Sequence, residues 1–216
     1  MYLYTSEKLK ELGYNVIALD FINFLKSNYY NYLDLVINAV ENDDIPLAEN
    51  LVNDIVNVLV EKNDKTEPIW VNGEMSVIKT AIMAVVIENK GRREYQTLTN
   101  AYYFVAEMFK TADDGEMLID KYMKNKRADD PIKKFFAVAS TAPSKTRGSF
   151  VAAALSTLQR FVSEYVADTI QKSDFDLRDF AKKKTAIYIL LNDDKLTYHK
   201  LRKSFSTTII YCHCRY

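Results

Sequence analysis

Two short apolar runs stand near the ends of the chain, Val16-Ile17-Ala18-Leu19 and Ala186-Ile187-Tyr188-Ile189-Leu190-Leu191. Neither alternates with polar residues, so both predict strands buried on both faces, as in a parallel sheet. Between them apolar residues recur at helical spacing. Ser6 to Leu12 predicts a short helix closed by Gly13, and Leu33 to Val40 another. Pro46 opens a third, with Leu47, Leu51, Ile55, Val58 and Leu59 as its apolar stripe. Pro68 and Trp70 introduce a helix near Met75 to Ile87 that is apolar around most of its circumference. Gly91 closes it, and it is expected to be central and buried.

Further helices are predicted over Tyr95–Phe109, over Glu116–Met123, and from Pro131 to Ser140, where Pro143 ends the pattern. A long helix is expected from Lys145 to Ile170, with Phe150, Ala154, Leu158, Phe161, Tyr165, Val166 and Thr169 on one face. Ser173 to Asp176 has the form of a capping box. The second strand ends at Asn192-Asp193-Asp194, and a last helix begins near Leu196.

The expected fold is mainly α: a multi-helix, all-α domain inserted between two short parallel strands of an incomplete α/β sheet. A βαβ crossover needs one helix, not a block of them. Two buried strands also cannot cover themselves, so the chain reads as part of a larger protein. The expected divisions are 1–32 (helix, strand, loop), 33–172 (helical domain), 173–203 (second strand) and 204–216 (tail).

Composition narrows this little: 48% hydrophobic, 27% charged, and too few Gly (5) and Pro (4) for an all-β fold. Charge is more informative. Residues 1–90 hold 7 basic against 14 acidic residues, and residues 91–216 hold 22 against 15. The steepest stretch carries Lys121, Lys124, Lys126, Arg127, Lys133, Lys134, Lys145 and Arg147 against Asp129 and Asp130. These eight are the candidate polyanion-binding residues, with Tyr122 and Phe135 near enough in sequence for stacking. The competing reading is a solvated surface whose charges point in several directions.

Other chemistry is thin. Neither G-x-x-x-x-G-K-[ST] nor G-x-G-x-x-G occurs, so no phosphate cradle is expected. Asp20, Asp193 and Asp194 follow strands as magnesium-binding acids do, but also as turn residues do. Asp174, Asp176 and Asp179 lack the Gly and Glu of a calcium loop. The two histidines, His199 and His213, lie near the end, and no G-x-S-x-G elbow accompanies them. Cys212 and Cys214 are the only cysteines, so no disulfide framework is expected, and a C-x-C without a second pair is not a zinc site. No metal or catalytic residue is assigned. No signal peptide opens the chain, and the Met75–Ile87 helix, which contains Lys79, is expected to be too short to span a bilayer.

An ordered set of stretches carries a family resemblance. These are Leu12-Gly13-Tyr14-Asn15-Val16-Ile17-Ala18-Leu19-Asp20-Phe21, Tyr30-Asn31-Tyr32-Leu33-Asp34-Leu35, and Pro68-Ile69-Trp70. Then come Lys145-Thr146-Arg147-Gly148-Ser149, Leu155-Ser156-Thr157-Leu158-Gln159-Arg160-Phe161, Ser173-Asp174-Phe175-Asp176-Leu177 and Lys184-Thr185-Ala186-Ile187-Tyr188. Together they cover most of residues 3–202, and the chain resembles the cytosolic part of type IV secretion coupling proteins, the TraG/TraD-like conjugative ATPases. The resemblance implies an all-α domain inserted in a RecA-like motor that is membrane-anchored and hexameric. It also implies ATP and Mg²⁺ in the full-length family, at motifs outside this chain, and no cofactor within it. Implied partners are single- or double-stranded DNA, the relaxase with its accessory proteins, and components of the secretion channel. The implied location is cytoplasmic, at the inner face of the cell membrane for the full-length family, with no membrane insertion by this chain. Residues Ser204 to Tyr216 depart from the family pattern, and a shifted or truncated reading frame near Lys203 is the expectation there. The functional expectation is cargo (DNA or relaxase) recognition without ATPase activity. The alternative is a helical protein-interaction domain that binds no nucleic acid.

Overall fold

The computed structural model describes residues 2–61 and 67–190. Among these the fold is mainly α, with nine α-helices and one two-stranded parallel sheet. Two compact units form: residues 2–32 with 164–190, and residues 33–163.

The first unit contains α1 (Tyr2–Glu11), β1 (Asn15–Asp20), α9 (Glu164–Ile170) and β2 (Thr185–Leu190). Gly13, at φ 79°, ends α1: its amide donates to the Lys10 carbonyl and the Tyr14 amide to the Leu9 carbonyl. A left-handed residue there is what lets the chain reverse into β1. The strands pair in parallel with Ile17 opposite Ile187 and Leu19 opposite Ile189. Ile17, Ala18 and Leu19 are buried, each large one contributing on the order of 1.5–3 kcal/mol. β2 is half-buried along its length, not buried on both faces as its composition suggests. The reason lies in the sheet: two strands cover one edge of each other and no more.

The other edge of β1 is closed by the loop that follows it. The Asn28 side chain accepts from the Ala18 amide (2.9 Å), the Asn28 amide donates back to the Ala18 carbonyl (2.8 Å), and Ser27 Oγ accepts from the Asp20 amide (3.0 Å). This loop is stitched to distant chain. The Tyr29 amide donates to Asp174 (3.0 Å), the Tyr30 amide to the Thr169 carbonyl (3.0 Å), and the Asn31 amide to Ser173 Oγ (2.8 Å). Tyr30 is buried and stacked on Phe175 (5.3 Å, 9°), which stacks on Phe180. The capping box at Ser173 is therefore not formed. Asp176 accepts from the Arg178 amide (2.8 Å) and caps a 3-10 turn, while Ser173 is spent on the loop.

The second unit contains α2 (Asp34–Glu41), α3 (Ile45–Leu59), α4 (Pro68–Glu88), α5 (Leu98–Met108), α6 (Leu118–Lys124), α7 (Pro131–Ser140) and α8 (Ser144–Leu158). α4 is its central helix. Val77, Ile78, Ala81, Ile82, Met83 and Ala84 are fully buried, so apolar residues all round mean neighbours all round. Gly73 lets α8 approach: a Cβ there would meet the Phe150 ring at 2.4 Å. The buried Ser76 hydroxyl donates to the Phe135 carbonyl (2.5 Å) and accepts from the Ala139 amide (3.1 Å), tying α4 to α7.

Three helical expectations change. The apolar helix is α4, 21 residues long and sufficient by length and composition to cross a membrane, but about 67% of its most apolar window is buried within the helical unit. On α3, Ala48, Val52 and Val56 are buried while Leu47 and Val58 are half-exposed, because the buried face spans more of the helix than one stripe. The long helix is two: α8 stops at Leu158, a 3-10 turn covers Gln159–Phe161, and α9 begins at Glu164. Side chains outcompete helix continuation there: Thr99 donates to the Phe161 carbonyl (2.7 Å), and Arg160 Nε to the Thr157 carbonyl (2.8 Å). With α9 in the first unit, Tyr165 is 60% exposed and not on a buried face. The expected last helix from Leu196, Asp193 and Asp194, both histidines, both cysteines and the tail lie outside the described residues.

Candidate functional site

The basic stretch maps onto α6, the loop after it, α7 and the start of α8. A short turn precedes α6: Gly115, at φ 82°, reverses the chain and Thr111 bridges Met117. That turn carries Asp114 and Glu116 back beside α6. α7 starts where Asp130 accepts from the Ile132 amide (2.8 Å) with Pro131 at the first helical position.

The eight cations do not share one environment. Arg147 is only 12% exposed and is a structural tie. Its Nη1 donates to both Asp120 oxygens at 2.8 Å, its Nη2 to the Ser140 carbonyl at 3.1 Å, and its plane lies 5.7 Å from the Phe136 ring. Lys126, 18% exposed, pairs with Glu88 and lies 4.8 Å from the Tyr122 ring. Glu88 also accepts from the Tyr122 hydroxyl (2.8 Å). Burial alone would raise the Glu88 carboxyl, but the hydrogen bonds from Lys126 and Tyr122 outweigh it and hold the group below the usual glutamate range. Burial and the Glu88 charge in turn push the Tyr122 phenol far up. Tyr122 is thus committed to Glu88 and packed edge-on to Phe104, while Phe135 has Lys79 over its ring.

The remaining six are nearer solvent. Lys121 pairs with Asp114 (2.7 Å), Lys124 with Glu116 (2.5 Å), Arg127 with Asp129 (3.0 Å) and Lys134 with Glu49 (3.3 Å). The Glu116 partner raises the Lys124 ammonium, and Lys121 lowers the Asp114 carboxyl. Lys133 donates to the Lys126 carbonyl (3.3 Å) and has no carboxylate partner among the described residues. Lys145 is exposed and likewise has none among them.

Three of the eight come together. Lys124, Lys133 and Lys134 line a groove of about 680 Å³ between α6 and α7, over a floor that includes Met123, Phe136 and Ala137. Lys121, Lys126, Arg127, Lys145 and Arg147 are not among its lining residues. The apolar floor is absent from the sequence-level site. Its only signal is that Met123 and Phe136 fall on the inward stripes of two short helices joined by a tight loop.

The strand-end and loop acids serve turns. Asp20 Oδ1 accepts from the Ile22 and Asn23 amides (2.9 and 2.8 Å), as an Asx turn does. Asp174 holds the Tyr29 amide, Asp176 pairs with Arg178, and Asp179 with Lys183. Among the described residues no three His, Cys, Asp or Glu side chains gather as a metal site.

A family model for type IV secretory system conjugative DNA transfer matches residues 1–210. The chain belongs to that family. The match runs through both units, so the strand-bearing unit and the helical unit are both part of what the family shares. The family is one of conjugative transfer ATPases, which places the chain in DNA transfer through a type IV secretion system. No individually characterised relative matches the chain.

Proposed function

We propose that the helical unit is the cargo-contacting part of this conjugative DNA-transfer protein, and that it meets DNA or the relaxase through the α6–α7 face. In this reading the chain does not itself hydrolyse ATP, which is supported by its sequence carrying neither G-x-x-x-x-G-K-[ST] nor G-x-G-x-x-G. It works at the cytoplasmic side of the membrane-borne secretion machinery. The observation that carries the reading is the convergence of Lys124, Lys133 and Lys134 on one open groove in a protein of a DNA-transfer family.

Phosphate contact would use the cations that solvent reaches: Lys121, Lys124, Arg127, Lys133, Lys134 and Lys145. Their surface ion pairs are each worth about 0–1 kcal/mol, so a polyanion can exchange for them. Fluorescence anisotropy of labelled single-stranded and duplex DNA, across a salt series, tests this. The expected result is affinity that falls steeply with salt. Each Lys→Gln change at Lys124, Lys134 or Lys145 is expected to reduce the log–log slope by about 0.9 for duplex and about 0.7 for single strands. Binding that is absent, or indifferent to salt, overturns the nucleic-acid form of the proposal.

A protein-contact reading is favoured by a separate observation. Intrachain carboxylates match six of the eight cations, which lowers the field a polyanion would meet. Pull-down of the relaxase complex that survives Arg127→Glu with Lys145→Glu, both outside the groove, would select it.

A further inference from the structure

The α6–α7 groove combines features that the phosphate reading does not use. Its floor is apolar, yet Phe136 is only 3% exposed, with Arg147 against its ring and Phe109 packed at its edge 6.1 Å away. No open aromatic face is offered to a nucleobase, and stacking on an exposed ring is what single-strand binding needs. A dent floored by Met123, Phe136 and Ala137 instead fits an aliphatic or aromatic side chain. Its volume lies in the range of sites that enclose a small ligand or a few residues of peptide.

The charges around it are one-sided. Asp120 is the only carboxylate in the lining, and Arg147 holds both of its oxygens from the α8 side. Lys133 faces a backbone carbonyl. The partners of Lys124 and Lys134, Glu116 and Glu49, are not lining residues, and both lysines are more than half exposed. Lys133 and Lys134 also sit in the first turn of α7, where the helix dipole is positive. The groove therefore presents positive charge over an apolar floor.

We propose that this groove docks a short acidic segment of a protein partner. One apolar side chain sits on the exposed Ala137 and the narrow accessible edges of Met123 and Phe136, and flanking carboxylates reach Lys124, Lys133 and Lys134. This rests on the reading that the α6–α7 face meets cargo, and it makes that contact one with protein rather than with phosphate.

The test uses the full chain, methyl-labelled at Met and Ala, and three fluorescein-labelled probes: a short peptide alternating Glu and Leu, its Glu–Ser counterpart, and a thymidine oligonucleotide. The Glu–Leu peptide is expected to bind and to shift the Met123 and Ala137 methyl resonances. The Glu–Ser peptide is expected to bind about tenfold more weakly or worse, as is the Glu–Leu peptide to K133E/K134E. Ala137 is exposed, so A137E should fold as the parent does and still block binding. Four results overturn the proposal: no peptide binding, equal binding of both peptides, binding without a Met123 shift, or an oligonucleotide that displaces the peptide while shifting Met123. If the exposed lysines bind DNA with a steep salt slope while the peptide fails, the cargo-facing reading stands and this one falls.

Discussion

Arg147 shows how far a residue's role depends on what the fold sets beside it. In sequence it ends a basic run; in the structure it is a half-buried clamp on Asp120 and Ser140. Arg147→Met is expected to cost about 1.5–3 kcal/mol, because it strands a partly buried carboxylate. Urea unfolding reads this, and an unchanged midpoint would reject the clamp. Gly73→Ala places a methyl against the buried Phe150 ring and should destabilise by about 1–3 kcal/mol. Adding Phe150→Leu should recover part of that loss if the clash is the cause. Glu88 gives a pH prediction. Its folded-state pKa lies below its unfolded value, so its contribution is complete above about pH 4.5 and is lost as pH falls through the lower folded value. Acid unfolding of Glu88→Gln should therefore show a shallower loss of stability in that range. The counterions of the basic stretch were partly legible: Asp114, Glu116 and Asp120 stand just before Lys121, and a window opened a few residues earlier takes them in. Glu49 and Glu88 were not, since only packing of α3 and α4 brings them near.

At the scale of elements, the strands and most helices follow from apolar spacing, because each buries a face against a neighbour with the matching period. Parallel pairing followed from the unbroken apolar runs, which read as strands of a parallel sheet, and β1 and β2 do pair in parallel. What spacing could not show is where side chains interrupt a helix. Nothing in Leu155-Ser156-Thr157-Leu158-Gln159-Arg160-Phe161 marks a stop; the Thr99 hydroxyl on α5 claims the Phe161 carbonyl from another part of the chain. The closure of β1 by Asn28 was equally invisible, since Asn in a loop has many uses. Asn28→Ala leaves the buried Ala18 amide without its side-chain partner and is expected to cost about 1–3 kcal/mol. It should also increase aggregation by opening a strand edge. Light scattering during refolding checks the second effect, and a fully monomeric, equally stable variant would contradict the edge-closing role.

For the whole molecule, the family match spans the strand-bearing and helical units together, and the sequence resemblance to coupling proteins reaches the same family. A net +6 stretch in sequence becomes a set of matched pairs plus one groove where three lysines meet an apolar floor. The α6–α7 face is proposed to meet cargo. The direct measurement is site-specific photocrosslinking in cells carrying out transfer, with the photoreactive residue at Lys134 beside the groove or, as control, at the exposed Asn57 on α3. Crosslinks to the transferred DNA or its bound protein are expected from position 134 and not from position 57. Equal crosslinking from both positions, or none from 134 during active transfer, would contradict the proposal.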